Sequence, residues 1–287
     1  MKISIIKPVS VNVDPWIDEF RNQDCQVVVN NLEADCDFLI GASHSQLNNI
    51  NAQSAKFPKI PIVNYNWDLY GWVDVSSHAG YNWKGYGDLL ARSAEIWCPS
   101  EEVILRTEEF FGLGKKCHVI KTFARFFEYK EIKDLGYVYQ TMRHYTKDKN
   151  FGWTKKACRE LSIPFYESNH SLSEAAFQKV VASCRLMCNE YYEASTGGLT
   201  LLEGYRLGKP VIISNSPYMG AKDYFGDRAI YFDHNDYENF KKILKHTWEN
   251  APKLNVDECR AFTDQYSLRE MVSQMVGRLK ILKEEND

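Results

Sequence analysis

The chain has no internal repeat, no low-complexity tract and no apolar run approaching a transmembrane span, so repeat arrays, disordered linkers and helical membrane anchors are not its class. It also lacks an excess of charge. Lys and Arg together number 35 against 38 Asp and Glu, a formal net charge of -3, with a pI near 6.2. That balance removes the broad basic footprint of a nucleic-acid or anionic-lipid binder and disfavours nucleic acid as a partner, while leaving room for a local basic cleft and for peripheral membrane contact. Paired CxxC units are missing as well. The eight cysteines include Cys184 and Cys188 at helical i, i+4 spacing, but no histidine lies nearby in sequence. Reduced thiols in a cytoplasmic protein are the expectation, with no metal site. The opening MKISIIKP is too short and too polar for a signal peptide and reads as a strand beginning at residue 2.

What is present is enough apolar material for two cores: 287 residues with 44% hydrophobic content. Strand-like runs at 2–6, 25–29, 38–40, 60–64 and 95–98 alternate with helical patterns at 15–21, 87–93 and 101–111, which predicts parallel strands with crossover helices. Residues 122–134 show no clear periodicity and are read as a linker. The pattern then resumes with strands at 136–139, 163–166, 185–188, 211–213 and 230–232, helices at 153–161, 172–182 and 237–248, and an amphipathic helix at 268–283.

The densest signal is Gly197 to Ser214, GGLTLLEGYRLGKPVIIS. Gly197 and Gly198 permit positive φ and close approach of a ligand to main-chain N–H groups. The following residues favour a short helix, which Gly208 and Pro210 stop. Val211, Ile212 and Ile213 are apolar without alternation, as a strand covered on both faces requires. A glycine loop feeding a helix N-terminus suits an anion such as a diphosphate. Glu203, about a turn and a half in, is placed to accept two hydrogen bonds from a ribose diol. By spacing alone, an ordinary αβ unit with a glycine turn and a solvated Glu203 stays open.

This segment resembles the signature of the retaining, GT-B-fold glycosyltransferases of group 1 (family 4-like), Glu-Gly-Phe-Gly-Leu, three residues, Glu-Ala, then Gly-Lys-Pro-Val. Thr196, Gly197, Gly198, Leu199, Glu203, Gly208, Lys209, Pro210 and Val211 carry the match. The family's first glutamate has Ser195 in its place, and Glu193 fills that role if the loop is two residues longer. Weaker echoes keep the family order: DFLIG before His44, PIVNYNWD at 61–68, AEIWCPS at 94–100, and stretches at 117–127 and 220–244. The resemblance implies an α/β GT-B fold, two Rossmann-like domains facing across a cleft. Residues 1–125 would form the acceptor domain, 126–134 the linker, 135–265 the nucleotide-sugar domain, and 266–287 a helix returning to the first domain.

It also implies roles. Transfer of a sugar from a nucleotide-diphosphate sugar, UDP- or GDP-linked, develops negative charge on the leaving group, which protein cations stabilise without a metal or cofactor. Arg143 with Lys147 or Lys149 stands where the family keeps its diphosphate-binding Arg and Lys. Glu193 or Ser195 would meet the donor sugar, the backbone of Thr196, Gly197, Gly198, Leu199 and Thr200 the phosphate or sugar, and Glu203 the ribose. His44, Asn66, Trp67 and Asp68 fall on the acceptor side, where the aromatics Tyr65, Trp67, Tyr70, Trp72, Tyr81, Trp83 and Tyr86 read either as a sugar-stacking platform or as loop packing. Gly71, Gly80, Gly85 and Gly87 suggest a mobile or unusually shaped loop there. Asp35-Cys36-Asp37 matches the metal-binding DxD of another glycosyltransferase fold, but its place before an early strand favours a turn. The acceptor, whether glycan, lipid-linked, protein or small molecule, and the oligomeric state are left open by the sequence. Two alternatives remain beside the transferase: a catalytically silent nucleotide- or partner-binding GT-B protein, and a sugar-nucleotide epimerase.

Overall fold

The computed structural model describes residues 1–7, 13–42, 46–66, 82–124, 126, 133–141, 152–168, 172–190, 198–216 and 220–286. Along the chain the first elements are β1 (Lys2–Ile6), α1 (Asp14–Asn22), β2 (Gln26–Val29), β3 (Phe38–Gly41), α2 (Leu47–Lys56), β4 (Ile62–Tyr65), α3 (Trp83–Arg92), β5 (Glu95–Cys98), α4 (Glu101–Phe111) and β6 (Cys117–Val119). Then come β7 (Val138–Thr141), α5 (Trp153–Glu160), β8 (Phe165–Ser168), α6 (Glu174–Ser183), β9 (Leu186–Asn189), α7 (Leu199–Arg206), β10 (Val211–Ser214), α8 (Ala221–Phe225), β11 (Ile230–Phe232), α9 (Tyr237–Glu249), α10 (Val256–Thr263) and α11 (Leu268–Asn286).

Two compact units result, one of residues 1–122 with 268–287 and one of residues 123–267. The first holds a six-stranded sheet ordered β2-β1-β3-β4-β5-β6, the second a five-stranded sheet ordered β11-β10-β9-β7-β8. Every strand pair is parallel. Parallel neighbours need crossovers, and the intervening helices supply them. Strands β3, β4, β5, β9 and β10 are buried along their whole length, the pattern of sheets covered on both faces. Both units are therefore Rossmann-like α/β layers. In each sheet the strand order reverses beside the first strand, between β1 and β3 and between β7 and β9, and ligands of such folds sit outside the carboxyl ends of the strands at that point.

Local chemistry explains where helices start. Ser100, Ser173 and Asp236 each accept a backbone N–H of their own first turn, opening α4, α6 and α9. Gly112 takes φ +67° and ends α4. Helix α3 begins four residues before the expected 87–93, because the Asn82 side chain accepts the Gly85 N–H at 2.9 Å. Gly85 and Gly87 are therefore helical rather than part of a loop. A Cβ on Gly87 would stand 2.7 Å from Phe111 Cδ1, so the glycine lets α3 lie against α4.

Some elements had no sequence expectation. Helix α2 buries Leu47, Ile50 and Ser54, a narrow stripe hidden among amides. Strand β6 is three residues of the stretch read as leading into the linker. Cys184 caps α6 and Cys188 lies in β9, so their i, i+4 spacing never occurs on one helix. All eight cysteines are buried and free. Asp35 pairs with Lys2 Nζ at 2.7 Å, and Asp37 accepts the Lys2 backbone N–H and pairs with Lys283. The Asp-Cys-Asp run thus belongs to the turn and strand opening ahead of β3. No described helix is long and apolar enough to cross a membrane.

Candidate functional site

The carboxyl edge of the second sheet gathers the polar chemistry of its unit. Strand β9 ends at Asn189, and helix α7 opens on Gly198 at φ +91° and ψ 87°, with no side-chain cap. A side chain would be strained in that conformation, and a Cβ there would fall 2.5 Å from Asn189 Nδ2. Glycine is thus required where the helix starts. Leu199 and Thr200 form the half-buried first turn. Such a turn directs N–H groups and the positive end of the helix dipole toward the strand ends, which suits an anion.

Glu203 follows on α7 and is 8% exposed. Its neighbour Gly204 explains how the helix sits so close to the sheet, since a Cβ on Gly204 would collide with Met187 Sδ of β9 at 1.8 Å. Gly208 takes φ +74° just past the helix, as the stop signal required. Lys209 lies at the opposite, amino edge of β10. Burial pushes its ammonium below the ordinary range, and among the described residues Nζ reaches the Lys133 carbonyl at 3.5 Å. The Gly-Lys-Pro part of the motif therefore shapes the turn into β10, while the glycine-helix-glutamate part lies toward the carboxyl edge of the sheet.

A second carboxylate lies at the same edge. Glu190, the first residue beyond β9, is 0% exposed. It accepts the Thr154 backbone N–H and, at 2.7 Å, the Thr154 hydroxyl at the start of α5. Gln140 of β7 lies beside it. Burial pushes the Glu190 carboxyl above its ordinary value, against the pull of the Thr154 and Gln140 donors. Neither Glu190 Oε1 nor Gln140 Nε2 completes a hydrogen bond of good geometry. Motif reading missed Glu190, Gln140 and Thr154. The available signal was a carboxylate directly following a buried strand, Leu186–Asn189.

In the first unit, Asn66 is buried, with Nδ2 donating to Thr107 Oγ1 at 2.9 Å and Oδ1 accepting from Tyr86 at 3.1 Å. Tyr65 is buried and donates to the Ile120 carbonyl. Trp83, Phe110, Phe111 and Leu113 line an open groove of about 470 Å³ between α3 and α4. Arg143, Lys147, Lys149, Glu193, Ser195, Thr196 and Gly197 lie outside the described residues, as do His44, Trp67, Asp68, Tyr70, Gly71, Trp72, Gly80 and Tyr81. The structure thus brings Gly198, Leu199, Thr200 and Glu203 together at one edge. Among the described residues no cluster of His, Cys, Asp and Glu has the geometry of a metal site.

No protein-family profile matches the chain, and no curated protein matches it by sequence. Solved structures do match in fold. The Alr3699/HepE protein of Anabaena, crystallised with UDP and glucose, superposes with a TM-score of 0.72 at 12% identity, covering 98% of this chain and 99% of that one. Sucrose-phosphate synthase from Thermosynechococcus elongatus gives 0.76 at 9% identity, with 98% and 99% covered. A glycosyltransferase from Rickettsia africae gives 0.64 at 10% identity, with 98% of each chain covered. The Anabaena protein has also been solved with UDP-glucose. The fold of this chain is that of the GT-B glycosyltransferases.

Proposed function

We propose that the protein is a glycosyltransferase that takes a sugar from a nucleotide-diphosphate sugar, UDP- or GDP-linked, and passes it to an acceptor with retention of configuration. The observation that carries the reading is the glycine-opened, side-chain-uncapped start of α7 with buried Glu203 on the same helix, at the ligand edge of the second sheet. Structural neighbours that bind UDP and UDP-glucose support it.

In this scheme Glu203 accepts the two ribose hydroxyls, and the main chain of Gly197 to Thr200 with Thr196 meets the phosphates or sugar. Arg143 with Lys147 or Lys149 stabilises the charge that develops as the bond between the sugar carbon and the β-phosphate oxygen breaks. The acceptor oxygen forms the new bond to that carbon, and its proton passes to the leaving phosphate. No separate general base and no metal are required. Glu193 or Ser195 holds the donor sugar. The acceptor is a glycan, lipid-linked, protein or small-molecule hydroxyl taken by the first unit, with His44, Asn66, Trp67 and Asp68 on that side, and the protein works in the cytoplasm. A second reading, a binder without turnover, draws on Ser195 standing in the place of the family's first glutamate.

Thermal melting with UDP, GDP and their sugars, without added metal, tests the donor site, because a ligand selective for the native state raises the melting temperature. Stabilisation by one nucleotide series, lost in Glu203→Ala, is expected. Sugar transfer that survives both Glu203→Ala and Arg143→Ala would refute the assignment, and binding without any turnover would favour the silent binder.

A further inference from the structure

Helix α5 begins without a cap of its own. Its N-cap is Gly152 at φ +66°, which offers no side chain, whereas α4, α6 and α9 are capped by the residue that precedes them. The missing acceptor comes from another strand. Glu190 accepts the backbone N–H of Thr154, the second residue of α5, which is one of the positions an N-cap side chain normally serves. The same oxygen takes the Thr154 hydroxyl at 2.7 Å, and both residues are fully buried.

Gly152, at φ +66° and ψ 17°, does not have the extended backbone of a side-chain N-cap, so the acceptor for this turn must come from elsewhere. The fold thereby buries a carboxyl that draws on Thr154, on the Trp153 backbone N–H and on a Gln140 amide that is 1% exposed, with Oε1 and Nε2 short of good hydrogen-bond geometry. Polar groups left short of partners in the interior cost stability. The place where this cost is borne is informative. Gln140 lies on β7, Glu190 at the end of β9 and Thr154 at the start of α5, so the three surround the point where the strand order of the sheet reverses. The dipole of α5 is thereby met by the protein's own carboxyl. The start of α7, which no side chain caps, is left for an anion from outside.

We propose that Glu190 is a positioning residue of the nucleotide site: it ties the first turn of α5 to the end of β9 and so fixes the floor on which the diphosphate of a nucleotide sugar rests. This role rests on the glycosyltransferase reading and deepens it. The carboxyl acts through α5 and β9 and does not itself contact the donor.

Calorimetric titration of the full chain with UDP tests the role in Glu190→Ala, Glu190→Asp and Glu190→Gln. Removing the acceptor, or shortening it by one methylene so that Thr154 is out of reach, weakens UDP binding about tenfold or more, the loss expected for a charge-assisted hydrogen bond. Gln retains an oxygen for the Thr154 N–H and recovers most of the affinity, to within about threefold of wild type by the same reasoning. If Glu190→Ala fails to fold, Glu190→Asp and Thr154→Val carry the comparison, the latter losing one bond of the two. UDP affinity within about twofold of wild type in both Ala and Asp, with only the melting temperature lowered, would mean a purely structural tie and overturn the role. Gln binding as weakly as Ala would make the charge itself a ligand contact, which also overturns it. A wild-type protein that binds neither UDP nor GDP would instead defeat the glycosyltransferase reading itself, and this role with it.

Discussion

Each unit buries one carboxylate that ties sequence-distant elements together, and the two are treated in opposite ways. Glu95, the first residue of β5, sits at the amino edge of the first sheet. It is held by Arg278 of α11 through Nε at 3.1 Å and through Nη2, by Trp97 Nε1 at 2.6 Å, and by His118 Nε2 at 3.0 Å. Glu190, just past β9, sits at the carboxyl edge of the second sheet with Thr154, the Trp153 backbone N–H, an incompletely engaged Gln140 and no cation among its described hydrogen-bond partners. The carboxylate at the amino edge meets a cation and two further donors. The one at the carboxyl edge meets none but neutral donors, with Oε1 short of good hydrogen-bond geometry and its pKa raised by burial. Stability governs the first arrangement, and the second has the character of a functional site, where such costs concentrate.

Breaking the well-served partner has the largest effect on stability. Glu95→Ala strands a guanidinium that remains 29% exposed and an indole N–H, so a loss of about 3 kcal/mol in urea unfolding is expected, toward the low end for a broken buried pair. UDP affinity of the folded fraction stays as in wild type, because Glu95 belongs to the first unit and the nucleotide site is proposed in the second. A smaller loss is expected at the ligand edge from Gly198→Ala, where positive φ costs about 1–2 kcal/mol and Asn189 must move. This substitution also weakens UDP binding, and calorimetry beside urea unfolding separates the two effects.

Burial sets the direction in which Glu190 responds to pH. Its folded-state pKa lies above the ordinary 4.5, so the folded state binds its proton more tightly than the unfolded chain does. The contribution to stability is full below 4.5 and is lost as pH rises through the folded value. The groups facing it are Thr154, Gln140 and the thiols of Cys158 and Cys188. Burial pushes both thiols up, Cys158 to about 12, so neither titrates in this range. Glu190→Gln carries no such charge, and its melting temperature relative to wild type should climb as pH is raised from 4.5 toward neutrality. A flat difference across that range would show the carboxyl to be solvated. The smallest effect belongs to Asp35→Asn, which loses an exposed pairing with Lys2 and should leave UDP affinity unchanged, with or without divalent cation. A cation-dependent loss would make the Asp-Cys-Asp run a metal site, against its reading as a turn.

Local signals were legible in the sequence, and long-range ones were not. Gly198, Gly208 and Pro210 announced the start and stop of α7, and the apolar run Val211–Ile213 marked β10 as a parallel strand buried on both faces. Helix α2 escaped notice because three buried positions among asparagines and glutamines make a weak stripe. The start of α3 was obscured by two glycines whose use, a cap contact and a close approach to Phe111, depends on neighbours. Glu190 could not be read as a cap, because the Thr154 N–H it serves lies 36 residues earlier in the chain.

The central claim is that nucleotide binds at the carboxyl edge of the second sheet. Amide hydrogen exchange of the full protein with and without saturating UDP tests it most directly. Protection concentrated at the start of α7 and at the ends of β7 and β9, and abolished by Glu203→Ala, is the predicted result. Protection confined to the first unit, or unchanged in Glu203→Ala, would contradict it.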